Sequence, residues 1–123
     1  MKDKMEKKLT PQSLPQSVQV AIDNIQAKKG QNIVILDLRG KSSFTDYFVI
    51  VHGNTSRQNM AICESTEKRL KEENLRAIGI EGTESAEWIL MDYGSFVIHI
   101  FSERAYEYYS LDKLWGDSPK LYC

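Results

Sequence analysis

The sequence predicts an α/β protein of the α+β type, with a mixed sheet of about five strands flanked by helices. Two apolar segments flank Tyr93-Gly94-Ser95, a spacing that is typical of a β-hairpin with a short turn. Both arms are apolar at nearly every position, as in strands buried on both faces. Segments with helical periodicity precede and follow the apolar segments along the chain. These observations predict a central sheet that helices cover.

The chain of 123 residues fits one domain. We predict a domain over residues 13–116, between a mobile N-terminal lead-in at 1–12 and a loose tail at 117–123. Two cysteines give neither a disulfide framework nor a metal site, and they fit a reducing cytoplasm. No apolar run approaches the roughly 20 residues of a membrane span, and the basic start lacks the apolar core of a signal peptide. We therefore expect a cytoplasmic protein without a membrane partner.

The formal net charge is −1. A protein that neutralises many phosphates is expected to carry a basic excess. Direct binding to naked nucleic acid is therefore not the expected main activity.

The first helix is predicted to begin near Ser13 or Pro15, because serine can cap a helix and proline is tolerated in the first turn. Gly30 is expected to end it. One apolar stripe follows the i, i+3, i+4, i+7 spacing of a helix packed against a sheet: Val18, Ala21, Ile22 and Ile25.

Two strands are predicted next, at 33–38 and 44–52, and their short linker favours an antiparallel pair. Thr55 or Ser56 is expected to cap the longest helix, which runs to about Asn74. The remaining expected elements are a third strand at 75–80, the hairpin as the fourth and fifth strands, a helix capped by Ser102 over 103–110, and a segment at 111–115 that folds back.

The loop at 40–45 before Asp46 is the most enzyme-like feature, because glycine-serine loops beside acidic strands hold nucleotide phosphates and metals in nucleotidyltransferase folds. Such chemistry normally uses two acids two residues apart on one strand face. Phe48 occupies the second position, and Asp92 could only be a distant further ligand. We therefore predict no catalytic residues, no metal and no cofactor. The favoured alternative is that Asp37 and Asp46 are structural and accept backbone N–H bonds.

The two histidines and Cys63 also have structural interpretations. His99 lies inside an apolar strand and His52 lies at a strand end, without a partner at a recognisable catalytic spacing. Both are expected to be hydrogen-bonded histidines of the core or an edge. Cys63 lies on a helical apolar stripe and is expected to pack.

The segment between Ala77 and Glu103 contains five acids and no lysine or arginine. Trp88 lies beside these acids, and an aromatic anchor next to a cluster of one charge is suited to a basic protein partner. Burial of Trp88 in the core remains an open alternative, in which the acids form only a solvated loop. The candidate partner-binding residues are Trp88, Glu81, Gly82, Glu84, Glu87 and Asp92.

The motifs together resemble the ribosomal silencing factor family, also called RsfS or Iojap-like proteins. The resemblance extends from about Leu14 to Trp115 and depends on the set of motifs rather than on any single one. The motifs are 37–46 (DLRGKSSFTD), 53–57 (GNTSR), 79–82 (GIEG) through 86–89 (AEWI), 92–94 (DYG), 97–99 (VIH) and 111–115 (LDKLW).

The resemblance implies a nucleotidyltransferase-like fold without the catalytic acids and a protein that binds rather than catalyses. It implies docking on the L-fourteen protein of the large ribosomal subunit, which blocks joining of the small subunit and lowers translation when nutrients are short. It also implies a homodimer away from the ribosome. Carried onto this chain, it points to the loop at 79–82, Trp88 and the strand through Asp92 as the docking side. The alternatives are a divergent enzyme of the nucleotidyltransferase fold and a homodimeric module with another partner.

Overall fold

A six-stranded mixed sheet forms the centre of the computed structural model, which describes residues 9–123. The strands are β1 (Gln31–Asp37), β2 (Tyr47–His52), β3 (Gly79–Glu81), β4 (Trp88–Asp92), β5 (Phe96–Phe101) and β6 (Lys120–Tyr122). The helices are α1 (Gln16–Ala27), α2 (Ser56–Glu72), α3 (Glu103–Tyr109) and α4 (Leu111–Leu114), preceded by a 3-10 turn at Pro11–Ser13. The sheet order is β3-β4-β5-β2-β1-β6. The predicted fold class is confirmed.

The strand pairing confirms both predicted antiparallel pairs. β1 pairs antiparallel with β2, and β4 pairs antiparallel with β5 across the turn at 93–95. Gly94 in that turn has φ +85°, a conformation that glycine adopts without a Cβ penalty. β2 and β5 pair in parallel, which makes the sheet mixed. The hairpin is thereby brought into the centre of the sheet.

One face of the sheet is covered by α1 and α2. The predicted stripe of α1 is buried in this core, together with alternate residues of the strands. Asn24 on α1 donates to the hydroxyl of the buried Thr66 on α2, with 3.0 Å between Nδ2 and Oγ1. Thr55 caps α2 as predicted, since its side chain accepts a hydrogen bond from the Gln58 N–H at 3.0 Å.

The opposite face is covered only in part. Ala105 of α3 and Leu111 close to it pack on residues of β1, β2 and β5. All residues of β5 are buried, as the sequence predicts. On β4, however, Trp88 and Leu90 are only half-buried, whereas Ile89 and Met91 on the other face are buried. The prediction of burial on both faces is therefore wrong for β4.

The C-terminal tail differs from its prediction as a loose segment. Residues 120–122 form β6, which pairs antiparallel with β1, and Leu121 packs against the core. The Asp37 N–H donates to the Pro119 carbonyl at 2.9 Å, and the Cys123 N–H donates to the Ile33 carbonyl at 2.9 Å. The tail thus forms one edge of the sheet.

Several predicted boundaries also shift. The third strand occupies 79–81 rather than 75–80, and the second begins at Tyr47 rather than Phe44. Ser13 belongs to the 3-10 turn and does not cap α1, whose N-cap is Pro15. The predicted mobile lead-in falls mostly outside the described residues, but Leu9 is partly buried against the core.

Among the helices of residues 9–123, none is both long enough and apolar enough to span a bilayer.

Candidate protein-docking face

Trp88 lies at the start of β4 on the partly covered side of the sheet. Its ring contacts Tyr109 of α3 at 4.6 Å and Phe101 of β5 at 4.9 Å between ring centroids. Its indole N–H donates to Nδ1 of His99 at 3.0 Å. One side of the ring is thus held in place, while the residue remains half-buried. We call this partly covered side of β3 and β4, with Glu81, Trp88 and Leu90, the Trp88 face.

His99 acts as a fixed hydrogen-bond acceptor beneath Trp88. The residue is only 3 % exposed, and burial lowers its pKa from 6.5 to about 4. The imidazole is therefore neutral at neutral pH. Because Nδ1 accepts from the indole, the proton of the neutral ring lies on Nε2. His99 is a hydrogen-bonded core histidine, as predicted. His52 is buried as well, and its ring bonds Asn32 and the Gly53 carbonyl.

Gly82 brings the acidic loop close to the backbone of Trp88. It has φ +86°, and a Cβ at this position would lie 2.0 Å from the Trp88 carbonyl oxygen. The Ala86 N–H donates back to the Gly82 carbonyl at 3.0 Å, which closes the loop. The loop at 82–87 therefore fixes where β4 begins, and glycine is required for that approach. Gly79 has no such role, since a Cβ there would meet no heavy atom within 4 Å.

The predicted acids do not form one cluster. Glu81 and Glu87 are exposed on two different sides of Trp88, and Glu84 is exposed in the loop between them. Glu87 accepts from the Ser102 hydroxyl at 2.7 Å and lies 3.9 Å from the Arg104 guanidinium. Asp92 lies at the other end of β4.

Asp92 has a structural use in the hairpin turn. Its Oδ1 accepts a hydrogen bond from the Gly94 N–H at 2.8 Å. This hydrogen bond stabilises the turn and uses one of the two carboxylate oxygens. Asp92 therefore lies away from Trp88, at the far end of β4.

Two hollows flank Trp88. The first, which we call the aromatic hollow, has a volume of about 310 Å³ and is lined by Glu87, Trp88, Arg104, Ala105, Tyr108 and Tyr109. The second, the strand hollow, has a volume of about 290 Å³ and is lined by Glu81, Gly82, Trp88 and Leu90. Trp88 is thus neither sealed in the core nor fully exposed. It forms a wall between two open concave surfaces.

Sequence reasoning missed Leu90, Tyr108 and Tyr109 as parts of this face. Tyr108 is 79 % exposed and Tyr109 is 44 % exposed. The signal that could have found them is the hairpin register, which places Trp88 opposite Phe101, directly before α3. Because α3 begins two residues after Phe101, its first turn lies close to Trp88.

The enzyme-like loop shows structural interactions at Asp37. Its carboxylate accepts from the Arg39 backbone N–H at 3.0 Å and from the Arg39 guanidinium at 2.9 and 2.8 Å. Burial raises the pKa of Asp37, but the hydrogen bonds and charge of Arg39 outweigh it, so the net shift is downward. The structural prediction is confirmed for Asp37.

Asp46 has a different role from the one predicted. Its side chain is exposed, and its backbone makes two hydrogen bonds: the carbonyl accepts from the Leu38 N–H at 2.8 Å, and the N–H donates to the Ser95 carbonyl at 3.0 Å. Phe48 is buried against His99, with 4.3 Å between ring centroids. Within residues 9–123, no group of three or more His, Cys, Asp or Glu side chains is arranged to hold a metal ion.

Cys63 packs in the core, as predicted. It is 3 % exposed, and burial raises the pKa of its thiol to about 11. Cys123 is exposed at the opposite sheet edge from β3. The two thiols therefore differ strongly in accessibility.

Comparisons with known proteins agree with this fold and these motifs. The family model described as "Ribosomal silencing factor during starvation" matches residues 11–122. A ribosomal silencing factor of Halalkalibacterium halodurans is 38 % identical over 104 residues, which cover 85 % of this chain and 89 % of the relative. A crystal structure of a protein from Chromobacterium violaceum has a TM-score of 0.79 at 31 % identity and covers 88 % of each chain.

A more distant relative is the mouse protein named "Mitochondrial assembly of ribosomal large subunit protein 1". It is 29 % identical over 101 residues, which cover 80 % of this chain and 44 % of the mouse protein. Since the family model spans nearly all of the described residues and the fold agrees with a solved relative, this chain belongs to the ribosomal silencing factor family, a family of ribosome-associated translation regulators.

Proposed function

We propose that this protein docks through its Trp88 face on the L-fourteen protein of the large ribosomal subunit and blocks joining of the small subunit. It acts in the cytoplasm as a binder without catalytic residues, metal or cofactor, and lowers translation when nutrients are short. Away from the ribosome, the same chain forms a homodimer.

The observation that carries this proposal is the combination of a half-open apolar surface with exposed carboxylates at its rim. Trp88 and Leu90 are half-buried on a partly covered sheet face, and Glu81 and Glu87 are exposed beside them, with the exposed Arg104 3.9 Å from Glu87. Anchors of this kind, a rigid aromatic with charged groups at its rim, dominate the affinity of many protein interfaces. The acidic rim is suited to a basic ribosomal protein rather than to RNA phosphates.

The relatives support the choice of the large subunit. The name of the mouse relative refers to assembly of the ribosomal large subunit, and the bacterial relatives are named ribosomal silencing factors. A factor bound to the large subunit can silence the ribosome by occupying the surface that the small subunit needs for joining.

Blocking by occupancy requires neither chemistry nor a conformational change. A standard interface buries roughly 800 Å² per partner, within reach of one face of a domain of this size. At free concentrations well above the dissociation constant, the joining site is filled and subunit association is lost. Inhibition should therefore follow the binding isotherm.

The test is sucrose-gradient sedimentation of purified subunits with and without the protein. We expect the protein to migrate with free large subunits and whole ribosomes to decline as its concentration rises. Normal subunit joining at concentrations that saturate the large subunit would contradict the proposal.

Two variants locate the docking face. Trp88→Ala should weaken binding of the folded fraction about thirtyfold, since truncating a central aromatic anchor removes roughly 2 kcal/mol or more. Glu81→Lys should weaken binding through its charge alone, because Glu81 is exposed and its replacement leaves the core packing unchanged. The matched control is Glu64→Lys, which makes the same charge change on α2 at the opposite side of the sheet. Equal binding by the two charge variants would exclude the Trp88 face.

A further inference from the structure

We infer that the aromatic hollow is a subsite for a single cationic side chain, an arginine or lysine of the basic ribosomal protein on which this chain docks. The inference depends on the proposed function. It assigns a role in docking to the side of Trp88 that faces Tyr109. The assignment rests on three features of the hollow: its aromatic walls, its oriented carboxylate and its size.

The walls of the hollow are aromatic rings at different angles. Trp88 and Tyr109 are 4.6 Å apart between centroids and inclined at 47°, and Tyr108 stands edge-on to Tyr109 at 5.0 Å and 88°. A cation within about 6 Å of such rings is attracted by their quadrupoles, most strongly by tryptophan. A guanidinium can also stack on a ring while it donates to a carboxylate.

The carboxylate of Glu87 is held at the rim before any partner arrives. The Ser102 hydroxyl donates to Glu87 Oε1 at 2.7 Å, and the Ser102 backbone N–H donates to the Glu87 carbonyl at 2.9 Å. Ser102 is itself fixed as the N-cap of α3, where its oxygen accepts from the Ala105 N–H at 3.1 Å. This preorganisation reduces the entropy lost when Glu87 pairs with a cation.

The volume of about 310 Å³ limits the occupant. Small-molecule sites usually begin at about 300 Å³ and are largely enclosed, whereas this hollow is open on one side. A single long side chain with a charged end matches both the size and the open entrance.

Arg104 is the resident cation that a partner cation must replace. Its guanidinium lies 3.9 Å from Glu87 Oε1, and its side chain is 88 % exposed. Exposed pairs at this separation add little stability, so Glu87 remains available to a better-placed partner. Removing Arg104 should therefore leave docking unchanged or improve it, which distinguishes a competitor from a contact residue.

The first experiment measures affinity for purified large subunits by fluorescence anisotropy, with the dye on the exposed Cys123. We expect Glu87→Gln and Tyr108→Leu to weaken binding about three- to thirtyfold each. Glu87→Gln keeps the acceptor for Ser102 and removes only the charge. Its control is Glu103→Gln, which removes a neighbouring exposed charge that does not line the hollow. This control should change affinity by less than about twofold.

The second variant pair tests Arg104. Arg104→Gln should bind at least as tightly as the wild type, and its control Arg76→Gln makes the same charge change outside the hollow. The inference is overturned if Glu87→Gln and Glu103→Gln lose the same affinity. It is also overturned if Arg104→Gln binds more weakly than Arg76→Gln.

A ribosome-free measurement separates failure of this inference from failure of the proposed function. N-acetylarginine amide is titrated into the full chain, followed by the assigned indole N–H signal of Trp88 and the backbone signals of residues 104–109 in NMR spectra. Shifts that increase with probe concentration are expected at these positions, whereas the uncharged N-acetylcitrulline amide should cause none. Equal responses to both probes would overturn the subsite, even if the wild type binds the large subunit. Specific shifts without large-subunit binding would refute the docking proposal and leave only a cation site.

Discussion

Gly82 shows how a single residue controls the position of Trp88. Gly82 has a left-handed φ and lies close to the Trp88 carbonyl. Only a residue without a Cβ can adopt this φ without strain and approach the carbonyl without a clash. In the sequence, Gly79 and Gly82 stand at the two ends of the motif at 79–82, and nothing local distinguishes them. The structure separates them, because the sequence does not reveal which glycine faces the backbone of β4.

The first prediction concerns these two glycines. Gly82→Ala should lower the free energy of unfolding by about 2–4 kcal/mol, through left-handed strain together with a clash against backbone atoms. Gly79→Ala should change it by less than about 0.5 kcal/mol, because its surroundings are open. Urea unfolding of both variants checks this. Equal effects would mean that the loop approaches β4 differently.

The second prediction concerns the pH dependence of stability. The pKa of His99 is about 4 in the folded chain and 6.5 in its ordinary state, so the unfolded chain binds more protons between these values. The stabilisation is fully present above about pH 6.5 and is lost as the pH falls toward 4. The total change from this group is about 3 kcal/mol.

His99→Asn removes this titration and retains an acceptor for the Trp88 indole. We expect the variant to be less stable at pH 7 but to lose less stability between pH 6.5 and pH 4 than the wild type. Urea unfolding at several pH values gives the comparison. A constant stability difference across this range would show that His99 does not titrate as a buried neutral group.

At the scale of elements, the long helices and strands have the conformation that their sequence patterns predict, whereas the short C-terminal strand does not. The stripe of α1, the cap of α2 and the hairpin were predictable because local periodicity and turn chemistry specify them. β6 has three residues after Pro119 and carries no such pattern. Its conformation results from pairing with β1, a contact more than eighty residues away in the chain.

The third prediction tests whether β6 is part of the fold. Leu121→Ala should destabilise the protein by about 1–2 kcal/mol, less than a fully buried leucine, since Leu121 is partly buried against the core. Tyr122→Ala should have a smaller effect, because Tyr122 is 66 % exposed. Thermal or urea unfolding of both variants supplies the measurement. If neither variant changes stability, β6 contributes nothing to the fold and the tail is loose in solution.

The aromatic hollow is also a consequence of elements rather than of local sequence. The tyrosines of the last helix are visible in the sequence, but nothing local says that two of them face Trp88. The antiparallel register of β4 and β5 and the Ser102 cap together direct α3 back toward Trp88. The candidate site was therefore only half predictable: its anchor and acids were named, while its second wall was not.

For the whole molecule, the local distribution of charge matters more for docking than the total charge. The net charge of −1 gives little long-range attraction, but the segment from Ala77 to Glu103 has five acids and no lysine or arginine. Exposed charges around a docking face mainly affect the association rate and the discrimination between partners. They are screened over about 10 Å at 0.1 M salt.

The fourth prediction follows from this asymmetry. Affinity for the large subunit should fall as salt rises from about 0.05 to 0.3 M, and the double variant Glu81→Gln/Glu84→Gln should show a flatter dependence. Anisotropy titrations at several salt concentrations measure both slopes. Identical slopes for wild type and variant would show that these carboxylates do not face the partner.

The sequence by itself determined the fold class, the hairpin, the main helices and the family, because periodicity, caps and motif order are local properties of the chain. Only the tertiary structure decided that Trp88 is a half-buried wall between two hollows, that Asp92 holds a turn, and that the tail is a strand. Each of these depends on which distant segments meet across the sheet, and the pairing of strands is set by packing of the whole domain rather than by neighbouring residues.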